Sequence, residues 1–360
     1  MTGSLDRVLV VTWLGILALG TVMVASASVA IGSSLVLKHG MFLVVGLLAF
    51  ASTLAVPLDW WQRAHRIAWL AAVALCLLVL LPGVGLEVKG ARRWIDLGPF
   101  SLQAAEVAKF MVPIYMAGYL ARFHRDLPDS PGIILRPLGM LAVLAVLLLM
   151  EPDFGSVVVL GATTCAMLFV AGARLRHFLL IVVAGVAVLA LLAVLQPYRM
   201  QRLITFVDPW AFAFGSGYQL TQALIAFGRG EVFGLGLGEG IQKLFYLPEA
   251  HNDFIFAVIA EELGLVGALC LMALFAVLVL RILRVGRHAL EAGDAFGGFL
   301  AYGVGMLLGL QCLINLGVNT GVLPTKGLTL PFVSYGGNSL MVSCAMLGLV
   351  FRVQMENRRG

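Results

Sequence analysis

Between Tyr246 and Gly267 the sequence reads YLPEAHNDFIFAVIAEELGLVG, and Glu249, His251 and Asp253 crowd the polar residues just before an apolar run that begins at Phe254. A carboxylate at such an edge can act as a general base toward a hydroxyl. The N-terminal dipole of a helix starting at Asp253 would favour its ionised form, while partial burial would make it more basic. The plainer alternative is that Asp253 only caps that helix. His251 and Asn252 are candidates for orienting a reactant beside it. Glu261 and Glu262 follow inside the apolar run, about 12–14 Å further along a helix axis. One is expected to meet a cation and the other to cap or orient a neighbour.

Other ionisable residues stand in unusual places. Glu106 and Lys109 are three apart inside an apolar stretch, on one helix face, where they can neutralise each other. Ionisable groups within a span are costly, which makes the pair a functional candidate as well as a structural one. Arg92 and Arg93 precede them in GARRWIDLGPFSLQAAEVAK, and Lys326 and Ser334 lie in or beside SYGGNS (334–339). Arg92 and Arg93 can form an anion site, or can simply be solvated.

The rest of the chain must position these groups. Its 360 residues are 61% hydrophobic and only 12% charged, with mean hydropathy +1.00. Soluble chains are about 25% charged. The composition therefore predicts an all-α polytopic membrane protein, read as a single domain over 1–360. A spanning helix needs about 20 apolar residues, and ten runs qualify: 8–27, 40–57, 67–83, 103–121, 134–151, 155–172, 178–196, 254–280, 295–320 and 332–351. The first resembles a signal peptide at ASA (25–27), but its apolar core is too long and its basic leader too weak, so a retained span is expected.

Ten spans put both termini on one side. That side holds Arg7, Arg63, Arg66, Arg122, Arg125, Arg136, Arg174, Arg176, Arg281, Arg284, Arg287, Arg352, Arg358 and Arg359. The short loops opposite hold only Lys38, Lys89, Arg92, Arg93 and Lys326. The positive-inside rule makes the first side cytoplasmic and turns the long 197–253 loop outward. Glu106, Glu151, Asp153, Asp253, Lys326 and SYGGNS then gather at the outer leaflet. GEVFGLGLGEG (230–240) reads as a flexible, partly membrane-associated loop, and LITFVDPWAFAFGSGYQL (203–220) as a segment lying at the interface. Gln311, Asn315 and Asn319 share a helix face, and interhelical hydrogen bonding accounts for them as well as a substrate role does. Gly305 and Gly309 would allow a close helix partner.

Some chemistries are excluded or disfavoured. Cys76, Cys165, Cys270, Cys312 and Cys344 all lie in apolar runs without a C-x-x-C pair, so disulfides and zinc are not expected. No basic stripe interleaved with aromatics suggests nucleic acid. No nucleophile elbow or phosphate-loop motif is present.

NLGVNTGVLPTKGLTLPFVSYGGNS (315–339) closely resembles the signature of the SEDS family (shape, elongation, division and sporulation). GARRWIDLG, EPDFGS, YQLTQALIAFGRG and YLPEAHNDFIFAVIAEELG resemble it too, in the family's order and over nearly the whole chain. The short chain is more similar to the rod-shape branch than to the division branch. The resemblance implies a peptidoglycan glycosyltransferase of cell-wall elongation, in the bacterial cytoplasmic (inner) membrane with its site facing outward. The implied substrate is lipid II, a disaccharide-pentapeptide on undecaprenyl diphosphate. It also implies a class B penicillin-binding protein as cross-linking partner, within an elongation complex of other membrane proteins. The family's essential acid falls on Asp253, and its intramembrane acid and base on Glu106 and Lys109. Glycosyl transfer from a diphosphate needs a base for the acceptor hydroxyl and positive charge for the leaving group, supplied by side chains or by a divalent metal ion. Arg92, Arg93 and Lys109 are expected to hold the diphosphate. A lipid II flippase and a noncatalytic scaffold are the rival classes. Because the polar blocks gather on one side, the enzyme is favoured.

Overall fold

The computed structural model describes residues 5–30, 32–88, 90–98, 100–128 and 130–357. Lys89, Arg358 and Arg359, counted in the charge bias above, lie outside these. Each of the ten apolar runs is a helix: α1 (Arg7–Ala27), α2 (Ser33–Ala55), α3 (Leu58–Leu80), α4 (Ala104–Phe123), α5 (Pro131–Met150), α6 (Phe154–Val170), α7 (Leu175–Val194), α10 (Ile255–Glu291), α11 (Ala295–Asn319) and α12 (Gly337–Asn357). Eight of them are long and apolar enough to cross a membrane, consistent with a polytopic membrane protein. The other two are α6, with 17 residues, and α4, which carries Glu106 and Lys109.

The helices differ in how far they hide from the surroundings. In α12 and α11, 78% and 67% of the most apolar stretch is buried, against 6% in α7. Nearly every residue of α4 from Ala104 to Leu120 is buried, so α4, α11 and α12 form the centre. Small residues permit that closeness. A Cβ at Gly348 would strike the Phe50 carbonyl of α2 at 2.5 Å. Gly305 and Gly309, expected to allow a close helix partner, meet one within the chain: a Cβ at Gly305 would meet Ile282 and Leu283 of α10 at 3.0 Å.

Three regions depart from the expected spans-and-loops arrangement. The fold is not all-α, because 85–103 forms a small antiparallel sheet in the order β1 (Gly85–Val88), β2 (Ala91–Asp96), β3 (Ser101–Gln103). Leu86 pairs with Trp94, and Trp94 with Gln103. Strands of four, six and three residues are too short to show a period-two signal. The long 197–253 loop is also structured, holding α8 (Pro197–Val207), α9 (Tyr218–Gly230) and a wide helical turn at Gln242–Tyr246.

The third departure is in α10, whose backbone breaks at Gly264 (φ 67°, ψ −169°). The break frees backbone groups in an apolar setting, where they must be satisfied by protein. The 230–240 segment does this. Leu235 and Gly236 donate their amides to the carbonyls of Glu261 and Glu262, and Leu265 and Val266 donate to the carbonyls of Glu231 and Val232, all at 3.0–3.1 Å. A Cβ at Gly264 would lie 2.3 Å from the amide nitrogen of Gly234, which explains glycine at both crossing points. The glycine-rich segment is thus a fitted splint for a broken helix, not a loose loop.

Candidate active site

A cavity of about 1070 Å³ opens where the sheet, the α5–α6 hairpin, α8, the 246–254 turn and the 324–339 segment meet. Asp253, Asn252, His251, Glu249, Glu106, Lys109, Arg93 and Lys326 all line it. Residues spread over more than 230 positions are therefore brought to one space.

Asp253 is held by its backbone. Its carbonyl accepts from Asn315 Nδ2 at 3.0 Å and from Asn319 Nδ2 at 2.9 Å. Asn315 Nδ2 also donates to the Leu328 carbonyl at 2.6 Å, and Gln311 Nε2 to that of Thr329 at 3.0 Å. The polar stripe on α11 thus fixes two loops in place around the acid. A Cβ on Gly327 would lie 3.1 Å from Asp253 Oδ2, so that glycine leaves room for the carboxylate. The N-cap of α10 is Phe254, with Ile255 as the first helical residue. The helix therefore begins two residues later than the sequence reading placed it, and Asp253 stands one residue before the cap.

The residues around Asp253 divide by role. The His251 carbonyl accepts from the Tyr335 amide at 2.8 Å, and the His251 and Tyr335 rings lie 5.6 Å apart. Ser334 does not line the cavity; its hydroxyl donates to the Asn252 carbonyl at 2.7 Å and accepts from the Leu330 amide, latching the two loops. Asn252 and Asn338 line the cavity, and among the described residues nothing donates a hydrogen bond to their buried side-chain oxygens.

The cations are arranged differently from expectation. Lys109 Nζ meets Glu106 Oε1 at 2.6 Å, with both side chains almost fully buried, as the three-residue spacing suggested. Arg92 turns away from the cavity and pairs with Glu87 at 3.2 Å on the exposed side of the sheet, because neighbours on a strand face opposite ways. Arg93 lines the cavity but spends its donors on the hairpin: Nε donates to the Glu151 carbonyl at 2.8 Å and Nη2 to that of Pro152 at 2.7 Å. Two arginines that the sequence reading passed over, Arg199 and Arg202 of α8, complete the wall. Arg199 and Lys326 each lie 5.0 Å from the centre of the Phe154 ring, and burial lowers the pKa of the Lys326 ammonium. The spacing of PYRMQRLITFV, with Arg199 and Arg202 on one face of a short helix, was the available signal. Asp153 caps α6, accepting from the amide and hydroxyl of Ser156 at 3.0 and 2.8 Å.

Glu261 and Glu262 do not line the cavity. Both meet cations, where one was expected to. Arg229 Nε lies 3.1 Å from Glu261, which also accepts from the amides of Ile241 and Gln242. Lys243 Nζ lies 2.6 Å from Glu262, which also accepts from Ser26 and the Gly238 amide. The pair fastens the splint that leads into the Asp253 turn. Among the described residues no three His, Cys, Asp or Glu side chains converge to hold a metal ion.

Glu151 is fully buried behind Arg93 and beside the Cys76 thiol, and burial, the largest influence, pushes its pKa up to about 8. The folded state therefore holds its proton more tightly than the unfolded chain, whose value is 4.5. Stability tied to this group is lost as pH rises from 4.5 through 8, at about 1.4 kcal/mol per unit. Glu151→Gln should raise the unfolding temperature above pH 8 and leave it unchanged near pH 4.5. Equal effects at both pH values in a thermal melt would remove the buried acid as the cause.

The comparisons with known proteins cover the whole of this architecture. The family model described as "Cell cycle protein", for FtsW, RodA and SpoVE, matches residues 6–359. A probable peptidoglycan glycosyltransferase FtsW from Nitrosococcus halophilus is 53% identical over 95% of this chain and 90% of its own. One of the same name from Pseudomonas fluorescens is 50% identical over 99% and 89%. Among solved structures, a chain of a peptidoglycan synthase complex described as coordinating polymerization and crosslinking superposes with TM-score 0.82. It is 30% identical, over 99% of this chain and 100% of that one. The Thermus thermophilus rod shape determining protein RodA superposes with TM-score 0.74 at 28% identity, over 99% and 98%.

Proposed function

The chain belongs to the FtsW, RodA and SpoVE family of cell cycle proteins and is a peptidoglycan glycosyltransferase, and from that premise we propose that it polymerises lipid II with Asp253 as general base. The observation that carries the reading is one cavity that joins Asp253 to Arg93, Lys109, Arg199, Arg202 and Lys326. Asp253 takes the proton of the acceptor's sugar hydroxyl as that oxygen attacks the anomeric carbon of the donor. The bond from that carbon to the diphosphate breaks, and the diphosphate departs with the electron pair. Charge grows on the leaving group in the transition state, where fixed cations stabilise it most. Diphosphate leaves without a strong acid, so one carboxylate and a cationic wall suffice. Arg92 has no part in this wall, and Lys109, neutralised by Glu106, shapes the field beside it.

The rod-shape expectation rested on chain length. Relatives named FtsW are matched over about nine-tenths of their own length, so length does not separate the branches. The names of those relatives favour division, and we assign the chain to that branch, with a class B penicillin-binding protein as its cross-linking partner. Restored septation in a strain depleted of its division polymerase tests the assignment. Restored rod shape without septation would return the chain to elongation.

We place both termini in the cytoplasm and the cavity outside, with all ten helices spanning. The Arg/Lys bias supports this, as does the exposed aromatic segment carrying Trp210 and Phe214. Cysteines introduced at Arg125 and Arg284 should label only from inside, and cysteines at Trp210 and Phe214 only from outside. Outside labelling at Arg284 would overturn the span count after α7. The activity itself is tested with purified chain and purified lipid II, with and without the transpeptidase. Glycan strands are the expected product. Movement of lipid II across vesicles without glycan would put a flippase in its place.

A further inference from the structure

We propose that a groove between α3, α4 and α5, at the end of the molecule away from the Asp253 cavity, binds an anionic phospholipid. The groove encloses about 790 Å³. Each helix contributes one arginine to it: Arg66, Arg122 and Arg136. All three are exposed, and among the described residues none forms an ion pair. Arg281 and Arg352 of the same inner set are neutralised, by Asp6 and Glu356, and so differ from these three. Three unpaired guanidinium groups sharing one concavity present the fork geometry that suits a phosphate.

What adjoins them is not a polar cup. Tyr115 and Tyr119 turn their hydroxyls inward, Tyr119 donating to the Ile133 carbonyl at 2.7 Å and Tyr115 to the Met140 sulfur, so their rings form an apolar wall. Leu70 and Leu135 continue that wall as exposed apolar side chains. A Cβ at Gly139 would meet nothing within 4 Å, which leaves the floor open. A cationic rim above an apolar slot fits a headgroup phosphate with its acyl chain, and a free phosphate would leave the slot empty. Basic pockets between helices at the cytoplasmic face hold anionic lipid headgroups by this chemistry. Arg122 lies 13 residues after Lys109 along α4, roughly 20 Å, so the groove and the candidate active site are distinct.

The test is native mass spectrometry of the delipidated full chain, with phosphatidylglycerol, phosphatidylethanolamine or the soluble headgroup glycerophosphoglycerol added. Phosphatidylglycerol should be retained at least about tenfold better than phosphatidylethanolamine, and Arg122→Gln and Arg136→Gln should each lower its retention about tenfold. Gly139→Leu, whose Cβ would meet nothing within 4 Å, should fill the slot and abolish retention at an unchanged unfolding temperature. Equal retention of the two lipids, or wild-type retention by both arginine variants, would overturn the proposal. So would competition by the soluble headgroup at the lipid's own concentration, which would make this a plain anion site. The readout needs no turnover, so it stands or falls apart from the polymerase assignment.

Discussion

Asp253→Asn should insert, fold and bind the transpeptidase as the wild type does, and polymerise lipid II at least about 100-fold more slowly, the lower bound for loss of a general base. The substitution keeps the size and one acceptor oxygen but replaces the other oxygen, and with it the charge that takes the proton, by an amide NH2. The clamp on this residue acts on its backbone carbonyl, through Asn315 and Asn319, and is untouched by the change. The N-cap position belongs to Phe254. Loss of activity with an unchanged melting temperature therefore points to chemistry. Polymerisation within a few-fold of wild type, at matched protein levels, would reduce Asp253 to a structural residue and reopen the flippase reading.

Glu262→Ala should be the most destabilising of the single substitutions considered. Lys243 Nζ is 2.6 Å from Glu262, with side-chain exposures of 2% and 0%. Removing the acid leaves a buried ammonium with only Ser26 Oγ and the Gly238 carbonyl. Breaking one side of a buried pair costs about 3–5 kcal/mol. Lys243→Met should cost a comparable amount. The double variant should lose far less than the sum, because no unpaired charge remains. The splint across Gly264 leads into the Asp253 turn, so polymerisation should fall with stability. Additive losses in the double variant would mean the pair is not coupled.

How much of this was legible depends on the physical range of each signal. The ten helices could be read because the bilayer imposes a length and an apolar composition on each segment by itself. The motif at 246–254 marked Asp253 because a cluster of acids beside an apolar run is unusual at any distance from the rest of the fold. Glu106 and Lys109 were legible as a pair because helix geometry fixes residues three apart. The small sheet was not, since strands of three to six residues carry too few side chains to show a period. Arg92 and Arg93 looked equivalent until β2 put them on opposite faces.

By itself, then, the sequence determined the solvent of the fold, the helices, the family and the acid most worth testing, all of which rest on local composition or short spacing. Only the tertiary structure decided which cations face the cavity, that Arg199 and Arg202 join them while Arg92 leaves, and that Ser334 latches two loops. It also decided that a glycine-rich segment splints a helix broken at Gly264. These outcomes depend on which backbone groups are left unsatisfied once distant segments meet, and no window of sequence contains both partners.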